Sequence, residues 1–208
     1  MKEKKIELLI VLTALSAGIL LIANLSATKL WNLFGISVDG GLVIFPLSYV
    51  IGDIIMELFG RKIANRVVMM GFVVNLLAVV VFWIVGILPE YAGWGLQEAY
   101  QSILGFAPRV IFASLVAYLL SGFLNNFVFE KIRNKTGEQK LWLRVVGSSA
   151  VAKICDTMFF ETVAFLGVLS LPEFFVQAGF AYVAAVGIEA ILMPVIYVIV
   201  RKMHEIYD

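Results

Sequence analysis

Six stretches of the chain, at about 7–28, 41–60, 67–88, 106–130, 144–168 and 174–200, are long and apolar enough to cross a lipid bilayer. A hydrocarbon layer about 30 Å thick takes roughly 20 helical residues per crossing. Of the 208 residues, 62% are apolar and 15% charged, against roughly 45–50% and about 25% in soluble domains. The expected fold is therefore an all-α membrane protein of six transmembrane helices. Residues 1–208 form a single polytopic domain, because no connection is long enough to fold separately.

The basic residues test that count. Lys2, Lys4 and Lys5 precede the first stretch, and Arg61, Lys62 and Arg66 lie between the second and third. Lys131, Arg133, Lys135, Lys140 and Arg144 lie between the fourth and fifth, and Arg201 and Lys202 follow the sixth. The alternate connections, at about 31–40, 89–105 and 169–173, hold no Lys or Arg. Thirteen of the sixteen basic residues thus fall on one side, and by the positive-inside rule that side is cytoplasmic and holds both termini. Adding or removing one helix would destroy this alternation. The expected location is the cell membrane, with lipid around the helices. The first stretch has a basic start like a signal peptide, but its apolar run exceeds the usual 7–15 residues and Leu25-Ser26-Ala27 is a poor cleavage site. It is read as a retained helix. Trp31, Trp83, Trp94 and Trp142 sit near span ends, where indole rings favour the interface. Tyr91, Trp94 and Tyr100 place the 89–105 connection on the outer surface.

Several functions are excluded. Sixteen Lys and Arg against fifteen Asp and Glu leave no basic excess for nucleic acid. One cysteine, Cys155, permits no internal disulfide and no multi-cysteine metal site, and it reads as a small packing residue. The single histidine, His204, lies in the polar tail, so neither Ser–His nor His-ligated metal chemistry is available. Asp53 and Asp156 lack a protease context for an aspartyl dyad, and no selectivity-filter sequence supports a pore. No enzyme activity and no cofactor is expected.

The informative residues are the charges inside or at the edge of spans: Lys29, Asp53, Glu57, Arg109, Lys153, Asp156, Glu161 and Glu189. Each costs at least about 2.5 kcal/mol at mid-membrane and is expected to face a bundle interior or a wet cavity. In the second stretch Pro46, Tyr49, Asp53, Glu57 and Gly60 fall within an arc of roughly 80° on a helix. Two carboxylates one turn apart need an intervening cation or proton. Glu57 has Arg61 four residues on, so a helix-end salt bridge is the alternative to a binding role. Asp53 has no such neighbour on its own helix. Pro46 is expected to kink the helix and free the Leu42 carbonyl.

In the fifth stretch Lys153, Asp156, Thr157 and Glu161 form one polar ridge. A Lys153–Asp156 or Lys153–Glu161 ion pair is its structural alternative. The sixth stretch carries Glu189 and Pro194, and Asn24, Thr28, Asn75, Asn125 and Asn126 add groups suited to bonding between helices. Divided at 89–105, the chain reads as three spans plus three of opposite orientation, each with acids on its middle span. This is the pattern of an inverted repeat with a midplane site. The motifs behind it are Asp53-x3-Glu57-x2-Gly60 and Asp156-x4-Glu161-x5-Gly167.

At these residues the chain resembles the queuosine precursor transporter family, long grouped as vitamin-uptake-like membrane proteins. The matching segments are Ala23-Asn24-x3-Thr28-Lys29 and Gly41-x3-Phe45-Pro46-x2-Tyr49-x3-Asp53-x3-Glu57-x2-Gly60. Phe129-x3-Arg133, Leu141-Trp142-Leu143-Arg144, Asp156-Thr157 and Pro194-x2-Tyr197 extend the match over nearly the whole chain. Two positions depart from the pattern: an aspartate is common where Asn125 or Asn126 stands, and an uncharged polar residue where Lys153 stands.

The resemblance implies uptake of a 7-deazaguanine such as preQ0, preQ1 or queuine for tRNA modification. A guanine-like edge presents adjacent N1–H and N2–H donors that one carboxylate, Asp53 or Asp156, would accept bidentately. The preQ1 ammonium would pair with a second acid such as Glu57. Tyr49 or Phe159 would stack on the ring, and Asn24 would meet the carbonyl edge. Thr157 and Glu189 complete the candidate substrate-binding set. The expected cycle binds ligand near the midplane between the second and fifth spans and rocks the two halves. The sequence has no GxxxxGK[ST] phosphate loop, so ATP use would require a separate ATPase module. The alternative function is accordingly the substrate-binding subunit of an energy-coupling-factor importer. A homo-oligomer is compatible with either function.

Overall fold

The computed structural model describes residues 2–33, 36–105, 108–137, 139–165 and 171–207. Side chains are described for these except at 2, 3, 30, 36, 37, 39, 108–111, 164, 165, 173 and 204–207. The side chains of Arg109 and His204, Gly167, and the expected span ends at 106 and 166–168 lie outside the described residues. Within them the chain is helical apart from one small hairpin. It runs α1 (Lys2–Ser26), β1 (Leu30–Leu33), β2 (Ile36–Asp39), a 3-10 turn (Gly40–Val43), α2 (Phe45–Phe59), α3 (Arg61–Gly86), α4 (Gln97–Leu104), α5 (Pro108–Thr136), α6 (Leu141–Phe165) and α7 (Leu171–Tyr207).

Four helices are both long and apolar enough to cross a membrane: α1, α3, α5 and α7. The other two expected spans differ for physical reasons. At 25 residues α6 is long enough, but it carries Arg144, Lys153, Asp156 and Glu161. At 15 residues α2 rises only about 22 Å by itself. Its expected start at 41 is taken by the 3-10 turn. Pro46 does not kink α2; it occupies the first helical turn, where its missing N–H costs nothing. Pro194 lies inside α7, where it cannot donate to the carbonyl one turn back.

Two connections hold more structure than expected. The 31–40 segment forms the antiparallel β1–β2 pair, Leu30 opposite Asp39 and Leu33 opposite Ile36. The outer connection contains α4, pinned to the end of α3 by Gln97 Nε2 donating to the Gly86 carbonyl at 2.8 Å. Arg61, Lys62 and Arg66 are helical, because Gly60 alone separates α2 from α3. Its φ of +77° lies in the region that only glycine enters cheaply.

Burial is inverted relative to a soluble protein. Ile10, Leu77, Trp83, Val183 and Ile191 are exposed, while Asp53, Glu57, Asn75, Asn125, Arg144, Lys153, Glu161 and Glu189 are buried. Apolar surface of this kind is stable against lipid, and polar groups turn inward when the solvent cannot hydrogen-bond them. The fold is that of a multi-pass membrane protein.

One apolar cluster joins Leu12 of α1, Val50 and Ile54 of α2, Ala64 of α3, Phe129 of α5, Val145 of α6 and Val200 of α7. It therefore sits at the end of the bundle where the basic residues gather. The two halves pack differently: α1 lies against both α2 and α3, whereas α5 lies along α6 and also against α3.

Close approach of α3 and α5 depends on two glycines. A Cβ at Gly122 would stand 2.9 Å from a Val68 methyl, and one at Gly71 2.8 Å from the Tyr118 hydroxyl. Valine is stiff at χ1 and cannot yield easily. Gly122→Val should lower stability by about 1–3 kcal/mol, read as earlier thermal aggregation of the detergent-solubilised protein.

Candidate functional site

A cavity of about 110 Å³ lies at the end of the bundle opposite the apolar cluster. Its polar lining comes from Asn24 on α1, Ser114 on α5 and Lys153, Asp156, Thr157 and Glu161 on α6. Phe45 at the start of α2 and Phe160 on α6 supply aromatic surface. Space is left by small residues at helical spacing: Ala23 and Ala27 on α1, Ala181 and Ala185 on α7.

Of the candidate ligand residues, Asn24, Asp156 and Thr157 line this cavity. The Asn24 amide is set by its neighbours: Nδ2 donates to Asn75 Oδ1 at 2.8 Å, and Oδ1 accepts from Ser114 Oγ at 2.8 Å. Asp156 Oδ1 accepts from Ser121 Oγ at 3.1 Å. Two acids share the cavity wall, for Glu161 is buried and accepts from Gln177 Nε2 at 3.4 Å.

The other five lie elsewhere. Tyr49 is buried behind the wall, its hydroxyl 3.1 Å from Ser121 Oγ. It lines a second cavity of about 30 Å³ with Ser48, Ser121 and Asn125. Ser121 thus stands between the two hollows, bonded to Tyr49 on one side and Asp156 on the other. Asp53 is 1% exposed and accepts from Asn125 Nδ2 at 2.8 Å and Ser149 Oγ at 3.4 Å. It does not line the main cavity. Phe159 is also absent from the lining; Phe160, 100° further round α6, takes its place.

Glu57 and Glu189 are corrected most. Glu57 Oε1 accepts from Arg144 Nη2 at 2.7 Å, both side chains buried. The expected partner Arg61 pairs instead with Glu130 of α5 at 2.8 Å. Paired with a guanidinium and absent from the cavity lining, Glu57 is not placed to meet an ammonium in the cavity. Arg144 also donates to the carbonyls of Gly137 and Gln139 at 2.6 and 3.1 Å, so it ties α6 to the end of α5. Arg133 donates to the Glu57 carbonyl at 3.2 Å.

Glu189 is likewise not a cavity group. Its Oε2 accepts from Lys153 Nζ at 2.5 Å, in place of the Lys153–Asp156 or Lys153–Glu161 pairing expected on α6. The same ammonium lies 3.9 Å from the centroid of the Tyr49 ring, within cation–π range. Lys153 therefore holds α2, α6 and α7 together.

Sequence reasoning overlooked Phe45, Ser114 and Phe160 as lining residues. The paired alanines were a legible signal, since residues four apart on a helix make one smooth stripe. Ser114 gave none. Asp156 and Glu161 line the cavity, whereas Glu57 and Glu189 pair with the buried cations Arg144 and Lys153.

Comparison with known proteins gives the family. Residues 39–199 match the family model described as "Putative vitamin uptake transporter". A "Probable queuosine precursor transporter" of Bacillus subtilis (strain 168) is 36% identical over 149 residues, covering 70% of this chain and 64% of the relative. The "Queuosine precursor transporter" of Escherichia coli (strain K12) is 25% identical over 134 residues, covering 64% and 58%. A "Probable queuosine precursor transporter" of Haemophilus influenzae is 25% identical over 189 residues, covering 87% and 78%. The match thus spans somewhat under two thirds of the Bacillus and Escherichia proteins' own length. No solved structure matches the chain significantly. Matched over most of its length, and with acids on α2 and α6 at the positions that carry the resemblance, the chain belongs to this vitamin-uptake-type transporter family.

Proposed function

We propose that the protein imports a queuosine precursor of the 7-deazaguanine class across the cell membrane by alternating access. The observation that carries this reading is Asp156, a carboxylate on the wall of a cavity that also presents Phe45 and Phe160. The ionised carboxylate would accept N1–H and N2–H of a guanine-like edge together. Phe45 and Phe160 would cover the ring faces. Asn24 and Thr157 would meet the carbonyl edge. Size agrees: a water needs about 10–15 Å³ of such space, so 110 Å³ holds about seven to eleven waters, the bulk of a bicyclic base. The relatives named as queuosine precursor transporters support the same ligand class.

In this reading α1, α3, α5, α6 and α7 cross the membrane, α2 crosses together with the 3-10 turn before it, and both termini are cytoplasmic, as the one-sided distribution of Lys and Arg supports. The cavity then faces outward, and the Glu57–Arg144 pair with the apolar cluster closes the inner side. Transport requires the two halves to rock until that seal opens. The test is uptake of labelled preQ0, preQ1 and queuine by cells unable to make queuosine. The chain should restore uptake of at least one base, saturably. Restoration of none would overturn the reading. Uptake that vanishes when the host's importer ATPase modules are deleted would assign the chain to an energy-coupling-factor assembly instead.

A further inference from the structure

Behind the cavity wall the charges do not balance. Among the described residues, Lys153 is the one cation beside three acids: Glu189 at 2.5 Å, with Asp53 and Asp156 close enough to act on it electrostatically. Glu57 and Arg144 cancel one another nearer the sealed end. Asp53, Glu189 and Lys153 are 1%, 0% and 2% exposed, so water does little to spread the excess negative charge. Isolated charges in such surroundings are costly, and the usual remedy is a bound cation or proton.

The hydrogen bonds point to where that cation goes. Glu189 Oε1 is fully buried and receives no donor from any described residue. The carboxyl of Asp53 lies close enough to the Glu189 carboxyl for the two to act on one another electrostatically. Two ionised carboxylates have only acceptors to offer each other, and a proton on either one supplies the donor that is missing. The groups facing this pair are Tyr49 from α2 and Lys153 from α6, with Asp156 beyond them. Asn125 of α5 and Ser149 of α6 add neutral donors to Asp53. The resident ammonium already fills the position nearest Glu189 Oε2.

We propose that Asp53 and Glu189 form a proton-binding site that couples transport to the proton gradient. The site is separate from the ligand cavity and linked to it through Lys153, which lines the cavity and is bonded to Glu189. A proton on the pair weakens the hold of Glu189 on Lys153. The ammonium then shifts toward Asp156, so proton occupancy changes the charge that the ligand meets. No bond other than O–H is made or broken, and the proton leaves on the inner side when the bundle rocks.

This inference rests on the proposed substrate class, and the experiment separates the two. Purified protein is placed in liposomes with labelled preQ0, which is neutral and carries no charge of its own to confuse the readout. At equal pH on both sides, labelled base should exchange for unlabelled base trapped inside. A pH difference of about one unit, inside alkaline, should drive about tenfold accumulation per proton carried, and an inward sodium gradient should drive none. Asp53→Asn and Glu189→Gln should keep the exchange and lose the accumulation, because each replaces a proton carrier by a neutral amide. Absence of exchange by the wild type would sink the substrate class. Exchange without response to pH, or a response to sodium instead, would overturn the proton site while leaving the substrate class intact. Loss of exchange in both variants counts against the site as well, since the pair is assigned the proton and not the base.

Discussion

Asp156→Asn should abolish uptake while the protein still reaches the membrane in normal amount. The carboxylate offers two charged acceptor oxygens to two N–H donors, and hydrogen bonds to a charged group are worth about 1.5–3 kcal/mol each. An amide keeps one acceptor and turns an N–H toward the ligand, so one bond is lost and one donor faces another. At about 1.4 kcal/mol per tenfold, affinity should fall about a hundredfold or more. Folding should be little affected, because Ser121 still finds the amide oxygen where Asp156 Oδ1 now accepts its hydroxyl. The measurement is saturation of uptake alongside the amount of protein in the membrane. Asp53→Asn is the informative comparison: buried away from the cavity between Asn125 and Ser149, it should leave base affinity close to that of the wild type. Equal loss of affinity in the two variants would contradict the geometry of the site.

Arg144→Met should be the most destabilising single change at the sealed end. The guanidinium is 1% exposed, pairs with buried Glu57 at 2.7 Å and satisfies the Gly137 and Gln139 carbonyls. Removing it leaves Glu57 a buried charge without a counter-ion, a loss of about 3–5 kcal/mol. The pair itself is less valuable than that figure suggests, since the cost of desolvating two charges offsets most of their attraction. Glu57→Gln combined with Arg144→Met should therefore recover much of the loss. Thermal stability of the detergent-solubilised single and double variants checks this. A double variant no better than Arg144→Met would show that the carbonyls, rather than Glu57, are what Arg144 chiefly serves.

Spacing places Pro46, Tyr49, Asp53 and Glu57 on one face of α2, and all four are buried, as are Ile54, Ile55 and Met56 elsewhere around the helix. Periodicity reports which residues share a face, and it works here because the helix is regular from its first turn. It does not report what the face meets. Spacing offers Glu57 the neighbour Arg61 four residues along, yet its partner is Arg144, 87 residues away. Spacing offers Lys153 the acids Asp156 or Glu161 on its own helix, yet its partner is Glu189, 36 residues away on α7. The same limit separates Phe159 from Phe160, since a single step of 100° decides whether a ring faces the cavity.

Sequence by itself determined the solvent and the helical character. Apolar runs of membrane length and basic residues confined to alternate connections are additive properties, each residue contributing its transfer free energy whatever its neighbours do. It also determined that several acids must turn inward, because lipid cannot solvate them. Tertiary structure decided which of those acids remain available to a ligand. Electrostatic pairing in a medium of low dielectric depends on distances of a few ångströms between helices far apart in the chain. Only packing sets those distances, and it spends Glu57 and Glu189 on Arg144 and Lys153 while leaving Asp156 on the wall of a hollow.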